Sequence, residues 1–524
     1  MQRPCDDVTI ENGANHRMKS GMGWAVALGV GTTLASFVAI ANDSASLPFV
    51  PYASSYLQMN AGKLFKPGST PVDPAVRTFL AARIFQNAAG SSTSERFDLL
   101  RRSVLGQADP LTPSLKNTHF QPDAKSWEGQ CVQWSAAALD PAIERLLDST
   151  SGIVCGDVMI SFGEIKELFT ALYSNIQATL FCGSKTLQRR GSFYGNPVIR
   201  GARDRYGFDD FAASDFDSRL YEYLKAGKGV ILDVDPGPQV WNQPVYAAKS
   251  VDTTISFPSG FRSSGLLERA PAYVFEGTSP VALQALAQLR DLDLALDSRL
   301  LRPTEVQVQV LQRRPGDPAT RLAPTEETLR ADFDQVKALS DQRDLLARTR
   351  LNALVDVGEI RLKPGMDVSY RSTTVSYSSE TGYADPRRNN SAQQKYDYFL
   401  FKKDGVTVDS VWDTPSQGNW NQPRRPDSMW VPMALTPAAA DTPSLRGVYD
   451  LFKLVQSNNC VDISQVMNFY QHLDRALSDN FVTPTEKQEL KAEWPKVKDV
   501  ANRDKVRQMI RDSGAPGIQE GDFP

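Results

Sequence analysis

The segment that organises the chain is Ser126-Trp127-Glu128-Gly129-Gln130-Cys131-Val132-Gln133-Trp134-Ser135, which runs on into Ala136-Ala137-Ala138-Leu139. A glycine before the cysteine and good helix formers after it place Cys131 near a helix N-terminus. Unpaired N–H groups and the positive end of the macrodipole favour a thiolate there, and a thiolate is the nucleophile of cysteine acyl transfer. The structural alternative is a small buried side chain or half of a disulfide, because cysteine is among the most buried residue types.

The bulk composition is that of a globular, multidomain chain. Its 524 residues suggest about three domains, and its 41% hydrophobic and 23% charged residues are typical of globular proteins. A formal net charge of -3 argues against a basic surface along the whole chain. We therefore expect no nucleic-acid partner.

The N-terminal segment has the pattern of an export signal. Gly21 to Ala41 carries no charge, follows Arg17 and Lys19, and ends in Ala39-Ile40-Ala41, a small-residue cleavage pattern. This predicts a signal peptide over residues 1–41 and a secreted or periplasmic protein. The alternative is an uncleaved single-span membrane anchor, since the apolar run is long enough to cross a bilayer. That segment is the only membrane contact we expect.

Export would make disulfides available to the remaining cysteines, which are Cys131, Cys155, Cys182 and Cys460. If Cys131 stays reduced, one pair and one odd thiol remain. We predict the pair Cys155–Cys182, because these two cysteines flank one predicted helix. Neither a CxxC motif nor a Cys/His zinc spacing occurs, so no metal site is predicted.

Hydrophobic periodicity alternates between helical and strand patterns, which predicts an α+β fold. A capping box at Ser161–Glu164 opens a helix whose apolar stripe is Ile165, Leu168, Phe169 and Leu172. Gly229–Val234 reads as a buried strand, and Asp404-Gly405 as the turn of a hairpin. We divide the chain into 1–41 signal peptide, 42–125 N-terminal helical and loop layer, 126–279 cysteine-bearing core, 280–357 helical insertion, 358–435 β-hairpin part of the core, and 436–524 C-terminal helical region and tail.

Three motifs resemble those of the transglutaminase elicitors of oomycetes and bacteria. The nucleophile motif Gly-x-Cys-x-x-Trp is matched by Gly129, Cys131 and Trp134. The second, an Asp followed by Val-Trp-Asn-Gln-Pro-Val, is matched by Asp233 and the unbroken run 240–245. In the third, a hairpin strand with a Trp precedes His-Pro-Asp-x-x-Trp. Its matches are Trp412, Pro426, Asp427 and Trp430.

The resemblance implies a papain-like cysteine acyltransferase core with a helical insertion and a helical C-terminal region. It implies a transglutaminase that transfers the acyl group of a protein glutamine amide to an amine or water. Cys131 would be the nucleophile, Asp427 the orienting carboxylate, and Asp233 the second candidate for that role. The partner would be a protein or peptide substrate. The family's use of calcium is a further carry-over, although no EF-hand loop or acidic cage occurs here.

Four further residues are candidates for substrate binding. Asn242 and Gln243 could donate hydrogen bonds to an oxyanion or to substrate. Trp134 and Trp241 could wall the cleft, although packing is the commoner role of tryptophan.

The chain departs from the family at one position, because Arg425 stands where the family has its histidine. A guanidinium cannot serve as a base near neutral pH. Of the remaining histidines, His119 lies upstream of the cysteine segment and could approach it, whereas His472 lies in a helical region and is expected to be structural. Two other functions therefore stay open: a catalytically inactive family member that binds peptide or cell-wall polymer, and a papain-like peptidase or amidase.

Overall fold

The computed structural model describes residues 41–67, 91–124, 129–156, 158–180, 193–195, 213–234, 241–300, 338–339, 341–413, 426, 428–430, 443–478, 481–498 and 503–524. Helices and strands are mixed along this part of the chain, which confirms the α+β class. The predicted signal peptide lies outside the described residues except for its last residue, Ala41. None of the helices in these ranges is long and apolar enough to span a membrane.

The secondary structure has the following bounds. The strands are β1 (Ala41–Ser46), β2 (Gly152–Cys155), β3 (Val158–Ser161), β4 (Phe193–Gly195), β5 (Val230–Asp233), β6 (Asn242–Thr254), β7 (Phe275–Gly277), β8 (Ile360–Leu362), β9 (Met366–Ser378), β10 (Ser391–Lys403), β11 (Val406–Trp412), β12 (Ser428–Trp430) and β13 (Val461–Asp462). The helices are α1 (Thr93–Leu105), α2 (Thr112–His119), α3 (Cys131–Ala138), α4 (Pro141–Asp148), α5 (Phe162–Leu180), α6 (Ala213–Lys225), α7 (Ser259–Ser263), α8 (Pro280–Leu300), α9 (Asn352–Asp356), α10 (Pro443–Val455), α11 (Ile463–Ser478), α12 (Pro484–Val497) and α13 (Arg503–Ser513).

The main sheet has the order β11-β10-β9-β6-β5-β12-β4. Strand β6 has partners on both edges. β9 pairs along one edge of β6, from Val245 to Thr254. On the other edge, β5 pairs with the first four residues of β6 and β1 takes over from Ala247 to Asp252. All pairs described here are antiparallel. The start of β6 thus lies between β5 and the end of β9.

The predicted apolar stripe of α5 faces the core. Ile165, Leu168, Phe169 and Leu172 are all fully buried, as their helical spacing predicted. The predicted capping box is also present: the Ser161 hydroxyl accepts from the Glu164 N–H at 3.3 Å, and the Glu164 carboxylate accepts the Ser161 N–H at 2.9 Å. The strand expected at Gly229–Val234 is confirmed as β5, whose four residues are buried.

A second core lies in the region predicted as a helical insertion. α8 and a π-helical turn at Ala347–Leu351 bury small and aliphatic residues against Phe261 and Phe275. The strand predicted at Ile360 and Leu362 is confirmed, but it pairs with β7 in a separate two-stranded sheet. The sequence also predicts an amphipathic stretch or half-exposed strand over 305–311 and a helix capped by Thr325, and both lie outside the described residues.

The C-terminal region forms a third core of amphipathic helices. Thr483 caps α12 through a capping box with Glu486, as predicted. Residues 514–524 were expected to be a tail, and that expectation is wrong. Phe523 is fully buried and packs edge-on against Trp494 at 5.5 Å between ring centroids. Burial of one aromatic ring is enough to fix a short terminal segment that has no apolar period of its own.

The disulfide joins the first core to the C-terminal region. Cys155, the last residue of β2, is bonded to Cys460, so the predicted Cys155–Cys182 pair is wrong. β13 pairs antiparallel with β2, with Val461 opposite Val154, and this register places the preceding residue, Cys460, beside Cys155. The two bonded cysteines are 305 residues apart in sequence, so the positions of Cys155 and Cys182 on either side of one helix did not predict the pairing. Cys182 lies outside the described residues.

We expect the double variant Cys155→Ser/Cys460→Ser to lower the free energy of unfolding by about 2–5 kcal/mol, because the disulfide restricts the unfolded chain. Urea unfolding checks the magnitude. Peptide mapping without reductant checks the connectivity and should give a linked peptide that contains Cys155 and Cys460. A peptide that links Cys155 to Cys182 would contradict the structure.

Candidate active site

Helix α3 is fixed on the start of β6. The Ser135 hydroxyl donates to the Asn242 backbone carbonyl at 2.9 Å, which ties the middle of the helix to the strand. Trp134 is fully buried, and its indole N–H donates to the Tyr52 carbonyl at 3.3 Å. These contacts give Trp134 the packing role and set the position of Cys131 at the first turn of the helix.

Cys131 and the Trp-Asn-Gln segment come together as the motif pattern predicted. Cys131 forms no disulfide, and the Asn242 side-chain amide donates to its Sγ at 3.8 Å. The Asn242 backbone also makes a hydrogen bond to the thiol. Asn242 is fully buried, so its amide is fixed in direction at the sulfur.

The electrostatics at Cys131 differ from what the helix position suggested. Burial raises the pKa of the Cys131 thiol to about 12, and the carboxylates of Glu380 and Asp233 raise it further. The hydrogen bonds from Asn242 act in the opposite direction but are weaker. The thiol is therefore protonated at neutral pH, and formation of a thiolate needs a proton acceptor in the site.

Asp233 is the last residue of β5 and lies opposite the first residue of β6. Its Oδ1 accepts the Trp241 backbone N–H at 2.7 Å, and it pairs with Asn242 in the strand register. The other carboxylate candidate, Asp427, and Arg425 lie outside the described residues. β12, which begins at the next residue, Ser428, pairs with β5.

The Gln243 side chain is buried and has a structural role. Only 1% of it is exposed, and its amide satisfies both ends when the oxygen accepts from Trp241 Nε1 at 2.9 Å and the nitrogen donates to the Ser378 carbonyl at 2.9 Å. Its hydrogen bonds are therefore used inside the protein. Trp241 is 45% exposed, so its ring is the one tryptophan candidate that borders solvent.

Glu380 belongs to the site although no motif indicated it. Its carboxyl is hydrogen-bonded to the Trp241 side chain. Burial raises the pKa of Glu380 to about 7, and the Trp241 hydrogen bond acts in the opposite direction. A single acidic residue in a loop after a strand carries no signal in the sequence, and only the pairing of β9 with β6 brings it to Cys131.

A segment near Tyr56 covers the residues before Cys131. The Gln130 N–H donates to the Tyr56 carbonyl. A Cβ at Gly129 would lie 2.2 Å from a Tyr56 ring carbon, so the glycine is required by close approach of this ring. No motif in the sequence indicated that Tyr56 packs against Gly129.

His119 is occupied by structural hydrogen bonds. It is buried at the end of α2, where its Nδ1 accepts from the Gln130 side-chain amide. Burial lowers the pKa of His119 to about 4, against a hydrogen bond to the Ala171 backbone. The neutral ring is therefore held between Gln130, the residue before Cys131, and the Ala171 backbone. His472, on α11, lies 2.9 Å from a Glu493 carboxylate oxygen within the C-terminal helices.

Two buried side-chain oxygens of the site have no hydrogen-bond partner among the described residues. They are Gln130 Oε1 and Asn242 Oδ1, which belong to the residue before Cys131 and to the residue that donates to it. Buried acceptors of this kind are rare in native structures and suit a ligand with N–H donors. Within the part of the chain that the structure describes, no three or more His, Cys, Asp or Glu side chains cluster so that they could hold a metal ion.

Comparison of the chain with family models, with curated proteins and with solved structures gives no match. The fold class and the site geometry therefore carry the functional argument by themselves.

We expect His119→Ala to lower the free energy of unfolding by about 1–3 kcal/mol, because it leaves the Gln130 amide and the Ala171 backbone without their partner. The rate of Cys131 alkylation by iodoacetamide, followed against pH, should keep its midpoint. His472→Ala is the control, since its exposed ion pair is worth about 0–1 kcal/mol. A stable His119→Ala protein with a shifted alkylation midpoint would instead make His119 the base.

We expect Asn242→Ala to raise the pKa of Cys131, because the variant removes the amide that donates to Sγ. Loss of a hydrogen bond worth about 1 kcal/mol slows alkylation about fivefold at a fixed pH below the midpoint. Asn352→Ala, in the helical insertion, is the matched control and should alkylate at the native rate. Unchanged alkylation in Asn242→Ala would show that the contact has no effect on the sulfur.

Proposed function

We propose that the protein is a thiol-dependent acyltransferase of the transglutaminase type, with a papain-like core and Cys131 as its nucleophile. The observation that carries the proposal is the contact of Asn242 Nδ2 with Cys131 Sγ, at 3.8 Å, across the interface of a helix N-terminus and a sheet. This contact joins the first two motifs of the resemblance in one site. A nucleophile at a helix end with an amide donor beside it is the arrangement that acyl transfer needs.

The reaction proceeds through a thioester. The sulfur of Cys131, after losing its proton, attacks the carbonyl carbon of a glutamine side-chain amide and forms a tetrahedral intermediate. The C–N bond then breaks, the nitrogen takes up a proton, and ammonia leaves. An amine or water attacks the thioester carbonyl and releases the thiol. Asn242 and the first N–H groups of α3 are the donors available to the oxyanion.

The unpartnered oxygens support an amide as the acyl donor. Gln130 Oε1 and Asn242 Oδ1 are acceptors, and a primary amide brings two N–H donors to the site. A protein or peptide is the proposed substrate, because the exposed ring of Trp241, the residue before Asn242, offers it an aromatic surface. An ester would leave both oxygens without a donor.

We also propose that the protein acts outside the cytoplasm, secreted or in the periplasm. The Cys155–Cys460 disulfide supports this, because disulfides persist in oxidising compartments. Calcium stays a proposal from the resemblance alone.

A second function is favoured by one specific observation. Burial raises the pKa of the Cys131 thiol to about 12, and among the described residues the carboxylates of Glu380 and Asp233 raise it further. An inactive member of the family that binds a peptide or polymer would have this kind of unreactive thiol. A papain-like peptidase would share the first half-reaction and differ only in its acceptor.

We expect the native protein to incorporate fluorescent cadaverine into casein, and Cys131→Ala to reduce incorporation to background, because the variant lacks the sulfur on which the proposed thioester forms. Ammonia release should fall in parallel. Val132→Ala, one residue further along α3, is the control for perturbation of the helix and should retain activity.

The alternatives give different results in the same assays. Peptide release from casein without amine incorporation would indicate the peptidase. A native protein with neither activity, and with a thiol that resists iodoacetamide, would refute the acyltransferase and favour the binding protein.

A further inference from the structure

The site needs a proton acceptor that the motifs do not supply. Burial keeps the Cys131 thiol protonated, so the proton must move within the site before the sulfur can attack. Among the described residues, His119 has its ring engaged by Gln130 and Ala171, and His472 lies in the C-terminal helices. The family's histidine is replaced by Arg425 in the sequence.

Glu380 is held at the site by its backbone as well as its side chain. It follows β9, and the Asn390 side-chain amide donates to its carbonyl at 2.8 Å. The next residue, Thr381, donates its N–H to the Ser54 carbonyl at 2.9 Å. The carboxyl is hydrogen-bonded to the side chain of Trp241, the residue before Asn242. The loop is therefore fixed on both sides, and the carboxyl lies within electrostatic range of the Cys131 thiol.

We propose that Glu380 is the general base and general acid of this site, taking the proton of Cys131 and passing it to the leaving nitrogen. This rests on the acyl transfer proposed above. The S–H bond breaks, and its proton goes to a Glu380 carboxylate oxygen, directly or through one water. The sulfur forms the C–S bond. When the C–N bond breaks, the carboxylic acid returns the proton to the nitrogen, which leaves as ammonia.

The charges in the site are consistent with this transfer. A thiol beside a carboxylate and a thiolate beside a carboxylic acid carry the same net charge, so the buried site never holds a second negative charge on the pair. When Glu380 takes up the proton it becomes neutral. One of the two carboxylates that raise the pKa of Cys131 then no longer repels the thiolate. The pKa of Glu380, raised by burial to about 7, lies where a general base works best near neutral pH.

Two other titratable groups face this pair. Asp233 faces Cys131 from β5, but its Oδ1 is held by the Trp241 backbone N–H. Tyr56 faces Glu380 from the N-terminal segment, and burial together with that carboxylate raises the pKa of the phenol, which stays neutral. Burial places the ionisation of Glu380 near neutral pH, because it raises the pKa of this carboxyl to about 7.

The test compares Glu380→Gln with the native protein in two assays that should move in opposite directions. Cadaverine incorporation into casein should fall about 100-fold or more, since general base catalysis contributes about that factor. Alkylation of Cys131 by iodoacetamide should become faster at a fixed pH, because a neutral amide no longer opposes the thiolate. Loss of packing at Glu380 would not produce this pair of changes.

The pH profile gives the second readout. Native kcat/KM should rise as the pH increases through about 7, because the carboxylate is the active form of Glu380. This rise should be absent in Glu380→Gln and retained in Glu380→Asp, which keeps a titrating carboxylate. Glu222→Gln, on the exposed face of α6, is the control for the substitution and should match the native protein in both assays.

The outcomes separate this inference from the proposed function. Activity that is lost in Cys131→Ala but keeps its rate and its inflection in Glu380→Gln leaves the acyltransferase intact and overturns the role of Glu380. Slower alkylation together with slower turnover in Glu380→Gln also overturns it, since that pattern indicates a damaged site. Activity that survives Cys131→Ala overturns the proposed function itself.

Discussion

The site depends on how β6 begins. Its first residues pair with β5 on one edge, and its next residues pair with β9 on the other, so the ends of β5 and β9 lie beside the start of β6, although β9 is remote in sequence. α3 then docks on this point through Ser135 and Asn242. Asp233, Asn242 and Glu380 surround the sulfur for this reason. A shift of one residue in the β5–β6 register would turn Asn242 away from the sulfur.

At the sulfur, burial outweighs the helix dipole. A rise in the pKa of a thiol from 9 to about 12 corresponds to roughly 4 kcal/mol against the thiolate. A charge at a helix terminus gains about 0.3–1 kcal/mol, and up to ~2 kcal/mol in favourable geometries. The helix position alone therefore cannot ionise Cys131. Formation of the thiolate therefore requires a base in the site.

Local features of the fold could be predicted from the sequence, whereas non-local ones could not. The capping boxes at Ser161 and Thr483, the stripe on α5 and the strand β5 follow from neighbours within a few residues. The Cys155–Cys460 bond and the place of Glu380 follow from strand pairings that join remote segments, and no local pattern encodes such a register. In the site, the motifs predicted Cys131 beside Asn242, because both carry local signatures, and they missed the carboxylate that has none.

The loop of Glu380 and the cover near Tyr56 are both attached to α5 by buried polar groups. Lys166 Nζ donates to the Ala53 carbonyl at 2.6 Å and to the Arg387 carbonyl at 2.7 Å. The adjacent Glu167 accepts from the Ser55 hydroxyl at 2.8 Å and from the Ala384 N–H at 3.0 Å.

Buried charges of this kind tolerate few alternative geometries, because an unsatisfied partner costs several kcal/mol. Apolar packing alone would also hold the two segments against the helix, but it is not directional and would let them shift along the helix axis. The pair on α5 therefore sets where the segment before Tyr56 and the loop after Glu380 lie, which in turn fixes two walls of the space around Cys131.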